Sequence, residues 1–174
     1  MLVNLTDVFT SEGKVVEKTI SLEMTEFQSR MGTYPITQKS PVQITMTNLG
    51  VGKALVEGTV EINLAMTCDR CLTDVPVKLE LEFSRDVASQ DTLDSAEDDE
   101  NQDILEGSQL NIETLINNEI LINLPDKVLC KEDCKGMCKQ CGQNLNEGDC
   151  GCDDFVPDPR MAAIKDIFNA KREV

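Results

Sequence analysis

Between residues 14 and 86 apolar side chains recur at every second position. Val42, Ile44 and Met46 alternate with polar neighbours, as do Val60, Ile62, Leu64 and Met66, and then Val75, Val77, Leu79, Leu81 and Phe83. A period of two belongs to strands with one buried face. The runs therefore predict an antiparallel sheet or partial barrel whose apolar side needs a cover. Gly50-Val51-Gly52 interrupts the alternation and predicts a turn. The last two runs are separated only by TCDRCLTD, residues 67–74, which predicts a hairpin with Cys68 and Cys71 at its exposed tip.

The period changes at LNIETLINNEILINLP, residues 110–125, where Ile112, Leu115, Ile116, Glu119 and Ile120 fall on one helical stripe. Asn111 is placed to cap this helix and Pro125 to stop it. Its apolar face is the expected cover for the sheet, giving an α+β core. A second, short helix is predicted near the end, with Asp158 as cap, Pro159 in the first turn, and Met161, Ile164, Ile167 and Phe168 on one face packed back on the body. The expected organisation is a β-rich α+β domain over residues 1–126 and a cysteine-rich, zinc-ribbon-like module with the terminal helix over 127–174.

Charge divides the chain at the same place. The whole carries −16, but residues 1–126 hold 8 basic and 23 acidic side chains while residues 127–174 hold 8 and 9. Within the acidic part, residues 86–106 contain nine carboxylates and no cation. Such a stretch buries too little surface to offset its ordering entropy, which predicts a mobile acidic loop. A surface of this sign repels nucleic acid and anionic membrane on average and attracts basic partners. No stretch has the roughly 20 apolar residues that span a bilayer, and the start, MLVNLTDVFTSEGKVV, lacks the basic and apolar regions of an export signal. A cytoplasmic location is expected.

In that compartment clustered cysteines bind metal more often than they pair. The eight cysteines fall into four pairs: Cys68/Cys71, Cys130/Cys134, Cys138/Cys141 and Cys150/Cys152. Short spacings matter because two thiolates must reach one ion at about 2.3 Å each. CKQCG at 138–142 has the knuckle form, and Cys150-Gly-Cys152 lies close enough to complete a four-sulfur site with it. The other four then make a second site joining the hairpin tip to the start of the tail. Zinc is the expected ion in both. A disulfide framework, a redox CxxC pair and an iron–sulfur cluster are the competing readings. The tail carries few apolar residues, and structural zinc contributes about 10–16 kcal/mol to small modules of this kind. Lys131, Lys135 and Lys139 recur around the ligands, where they offset thiolate charge or contact phosphate, and Arg160 adds to the same basic set.

The absence of histidine removes Ser-His-Asp and Cys-His catalysis and the His-containing open zinc sites. No phosphate-binding glycine motif is present, and a closed four-cysteine site is structural in the usual case. A non-enzymatic protein without a small-molecule substrate is expected. With no Trp, one Tyr and five Phe there is no obvious stacking platform for single strands.

Taken in order, CDRCL, LNIETLINNEILINLP, C-x3-C-K-G-M-C-x2-C-G-Q-N-L-N, C-G-C and DPR resemble one bacterial and plastid family, the YceD-like proteins. The resemblance runs from about residue 1 to 170, with its specific part in 110–160, and is weakest in the acidic stretch. It implies a factor of ribosome biogenesis that promotes accumulation or processing of large-subunit (23S) ribosomal RNA. It implies ribosomal RNA or a pre-ribosomal large subunit as partner. Branches of the family with fewer cysteines exist, and this chain has the full eight. The other expectation, of a different class, is an acidic module that escorts a basic ribosomal protein.

Overall fold

Residues 1–30, 32–89 and 103–152 are described in the computed structural model. Two 15-residue strands dominate, β6 (Lys53–Thr67) and β7 (Asp74–Ala88). They pair antiparallel without a break from Lys53↔Ala88 to Thr67↔Asp74, leaving residues 68–73 as the connection. The other edge of β6 is shared. β5 (Val42–Gly50) occupies it along residues 53–59, and β4 (Gly32–Lys39) occupies it along residues 62–64. β4 and β5 thus run as one line interrupted at Ser40-Pro41. Proline cannot donate to a ladder, and Ser40 bridges the gap: its N–H donates to the Glu61 carbonyl (2.8 Å), and its hydroxyl accepts from the Glu61 N–H (2.9 Å).

β2 (Val15–Ile20) extends the sheet beyond β5, and β3 (Glu26–Ser29) extends it beyond β4, making six strands. The turn after Gly50 joins β5 to β6. A second, three-stranded sheet is built from β1 (Leu2–Asn4), β9 (Gln109–Asn111) and β8 (Leu105–Glu106), with β9 in the middle. A five-residue helix, α1 (Thr6–Thr10), lies between β1 and β2.

The alternation explains the core. Val42, Ile44 and Met46 of β5, Val60, Ile62 and Leu64 of β6, and Leu79, Leu81 and Phe83 of β7 are all buried. Helix α2 (Ile112–Asn123) buries Ile112, Leu115, Ile116, Glu119 and Ile120, the stripe predicted for it. The Asn111 side chain accepts from the Thr114 N–H at 3.3 Å, and the helix ends two residues before Pro125. The architecture is therefore mostly antiparallel sheet with a helix and a cysteine-rich C-terminal region. One close approach demands glycine. A Cβ on Gly58 in β6 would lie 2.5 Å from Phe83 Cζ and 2.6 Å from the Gln43 carbonyl oxygen.

Both flanks of the stretch predicted as an acidic loop carry regular structure. Asp86–Ala88 complete β7, Ile104 is buried, and Leu105–Glu106 form β8. Single apolar side chains, Val87 and Ile104, anchor those ends inside a charged window. Residues 90–102, the predicted terminal helix and Arg160 lie outside the described residues. Among the described residues no helix is long and apolar enough to cross a membrane.

By compactness the chain divides into two units, Met1–Asp69 with Thr73–Cys130, and Arg70–Leu72 with the chain from Lys131. All the apolar core just described belongs to the first. In the second, among residues 131–152, the only apolar side chain that is buried is Cys134.

Candidate metal centre

The turn after β6 closes with the Cys68 N–H donating to the Thr73 carbonyl at 2.8 Å. Asp69 then recruits the chain that follows α2. Its N–H donates to the Val128 carbonyl (2.9 Å), and its carboxylate accepts from the Val128 N–H (2.7 Å). Two residues later comes Cys130. Leu72, next to Cys71, holds a left-handed φ of 58° with its side chain exposed, an unusual conformation for a residue with a Cβ.

Arg70 organises the start of the tail in the same way. Its guanidinium donates to the Cys134 carbonyl (2.8 Å), and its own carbonyl accepts from the Met137 N–H (3.0 Å). The approach is close enough that a Cβ on Gly136, at φ 80°, would sit 3.1 Å from the Arg70 carbonyl oxygen. The sulfurs of Cys68, Cys71, Cys130 and Cys134 all lie within 4.8 Å of one another; Cys68, Cys71 and Cys134 are buried and Cys130 is exposed.

The second cluster is built inside the tail. Met137 and Asn144 form a β-bridge, the Cys138 N–H donates to the Gln143 carbonyl (2.8 Å), and the Gly142 N–H returns to the Cys138 carbonyl (2.9 Å). This is a knuckle, and the Gln140 N–H points at Cys138 Sγ from 3.4 Å. The sulfurs of Cys138, Cys141, Cys150 and Cys152 lie within 4.8 Å of one another.

Four thiolates around a tetrahedral zinc stand about 3.8 Å apart, so both quartets fit a metal ion of this type. The electrostatics of the second agree. Backbone N–H groups of Cys141 and Gln140 hold the Cys138 thiol down at about 6, so it is ionised at neutral pH. Cys152, facing the sulfurs of Cys141 and Cys150, is pushed up to about 12. Each negative sulfur makes the next harder to ionise, and a divalent cation at the centre reverses that cost.

The eight cysteines are thus brought together in two groups of four. Lys131, Lys135 and Lys139 are exposed along the segment that carries them, and no ion pair among the described residues engages these three. Sequence reasoning passed over Asp69, Arg70 and Asn146, whose hydrogen bonds position the segments that carry the cysteines. Nothing but their place between cysteines marks them, and no spacing rule covers them.

Comparison with known proteins adds the context. A family model described as large ribosomal RNA subunit accumulation protein YceD matches residues 56–168. Uncharacterized proteins of Mycobacterium tuberculosis and Mycobacterium bovis are 28% identical over 121 residues, 68% of this chain and 58% of theirs. One of Mycobacterium leprae is 31% identical over 93 residues, 52% of this chain and 42% of its own. The match thus spans little more than half the length of the first two relatives. No solved structure matches the chain. The family match takes in both cysteine quartets and helix α2, and the chain belongs to the YceD family of large ribosomal RNA subunit accumulation proteins.

Proposed function

We propose that the chain is a non-enzymatic factor of large-subunit ribosome biogenesis, acting on ribosomal RNA or a pre-ribosomal particle through a tail ordered by two structural zinc ions in a zinc-ribbon-like module. Family membership supports the ribosomal setting. The observation that carries the RNA-contacting role is the row of exposed Lys131, Lys135 and Lys139 interleaved with the two cysteine quartets. Ammonium groups fixed at short intervals on a metal-ordered loop suit phosphate contacts, which dominate affinity for nucleic acid and weaken steeply with salt. The rest of the chain, strongly acidic, confines such contacts to this segment.

A second reading has its own support. A cleft of about 420 Å³ in the six-stranded sheet is lined by Glu61, Glu80 and Glu82 with Thr19, Gln43 and Thr59, and among the described residues the lining itself includes no cation, the nearby Lys78 being paired with Glu61 and Glu80. Glu61 and Glu80 face each other directly across β6 and β7, and Lys78 bridges them at 3.2 and 2.7 Å. Such a surface suits a basic ribosomal protein.

One experiment separates the two. The chain is used to capture partners at low and high salt, with and without ribonuclease, and both RNA and protein are read. Metal analysis of the same anaerobic preparation is expected to give two zinc ions per chain. The RNA reading predicts ribonuclease-sensitive capture that Lys131→Ala/Lys135→Ala/Lys139→Ala reduces at least tenfold. Capture that survives ribonuclease and falls with Glu80→Lys/Glu82→Lys, but not with the lysine variants, would sink it in favour of the acidic module. Iron, or no metal, would refute the zinc assignment.

A further inference from the structure

Between Cys141 and Cys150, both ligands of the second quartet, the chain folds back over the residues around Cys134. The Leu145 N–H donates to the Gly136 carbonyl at 2.9 Å. Asn146, the last residue of QNLN, makes the contact that reaches furthest. One N–H of its amide points at Cys134 Sγ from 3.3 Å, and Asn144 Oδ1 takes the amide nitrogen at 2.8 Å and the Asn146 backbone N–H at 3.0 Å. Its own Oδ1 accepts from the Lys135 N–H at 3.0 Å. Both ends of the amide are engaged, so it is held in one orientation. A residue in the loop of one quartet therefore donates to a ligand sulfur of the other.

We infer that Asn146 is a positioning residue coupling the two metal sites: closing the second quartet around its ion fixes the loop that aims the Asn146 amide at Cys134. The inference rests on the reading of both quartets as metal sites. An N–H donated to a thiolate offsets part of its charge and fixes its direction, and outer partners of this kind change metal affinity by about 10–100-fold when removed. Thermodynamic reciprocity then requires that an ion in either site favours binding at the other.

The test uses the full chain loaded with cadmium and read by cadmium-113 NMR, in which each four-sulfur site gives its own resonance. Affinity is measured by competition with a chelator. Four proteins are compared: the unaltered chain, Asn146→Leu, Cys141→Ser/Cys150→Ser, and the three changes combined. Two resonances in the unaltered chain are the starting condition; fewer defeats the metal reading itself. Given two, removal of the second quartet's ligands is expected to weaken the Cys68/Cys71/Cys130/Cys134 site about tenfold when Asn146 is present, and no further when leucine replaces it. Equal weakening in both backgrounds, or none in either, overturns the coupling. Asn146→Asp separates donation from loop folding, because it keeps the acceptor for the Lys135 N–H and loses the donor to sulfur. It is expected to weaken the first site at least as much as leucine does. Unaltered affinity in that variant would show that Asn146 serves the loop alone.

Discussion

Glu119 is only 4% exposed, and its carboxylate has one strong partner. Arg85 in β7 donates to the same oxygen, Glu119 Oε1, through Nε at 2.9 Å and Nη2 at 2.7 Å. The sequence placed Glu119 on the apolar stripe of its helix, and the structure supplies the reason that a carboxylate can stand there. Removing one partner of a buried pair costs more than removing both, because the survivor is left charged in a poor dielectric. Arg85→Ala is therefore expected to lower stability by about 2 kcal/mol in urea unfolding, less than for a fully buried pair because Arg85 is a third exposed. Arg85→Ala/Glu119→Leu should recover most of the loss, and a double variant as unstable as the single would contradict this account. The same logic explains what could not be read from the sequence. Arg85 occupies an ordinary polar position of a strand, and its partner lies 34 residues away.

At the level of elements, the long alternating runs were legible because each buries one face against a continuous core. The N-terminal pieces and the second sheet were not. β1, β8 and β9 have two or three residues each, too short for a period to show, yet Val3, Leu5, Ile104 and Leu110 all enter the core. The pairing of the cysteines was legible because ligand spacing is local chemistry. Their positioning by Asp69, Arg70 and Asn146 was not, because it depends on where distant loops meet. Sheet packing also makes a sharp demand at Gly58, where one neighbour is an aromatic ring and the other is backbone. Gly58→Ala is expected to destabilise by about 2 kcal/mol in thermal or urea melts. Phe83→Leu in that background should restore only part, since the Gln43 carbonyl cannot move out of the ladder without breaking it. Full restoration would show that the ring alone sets the constraint.

Across the whole molecule, order has two sources. The described residues up to Cys130 are held by an apolar core, whereas residues 131–152 bury no apolar side chain other than Cys134. The backbone bonds of the latter are few, those from Met137, Cys138, Gly142 and Leu145 among them. Treatment with a strong chelator is therefore expected to raise amide hydrogen exchange at these four residues by orders of magnitude while β6 and β7 remain protected. Tail amides that stay protected without metal would show that the segment is ordered by its hydrogen bonds alone.

The β6–β7 hairpin has one more consequence, in the time course of synthesis. β5, β6 and β7 pair in chain order, each with the next, and hairpins of consecutive strands form early, in about 1–10 μs once both strands exist. A ribosome adds only about 5–20 residues per second. Cys68 and Cys71 are thus presented on a finished tip seconds before Cys130 and Cys134 leave the exit tunnel. If the quartet takes a metal ion as proposed, a nascent chain carries half of that site through the interval, so an ion can be captured by two thiols first and enclosed by the other two afterwards.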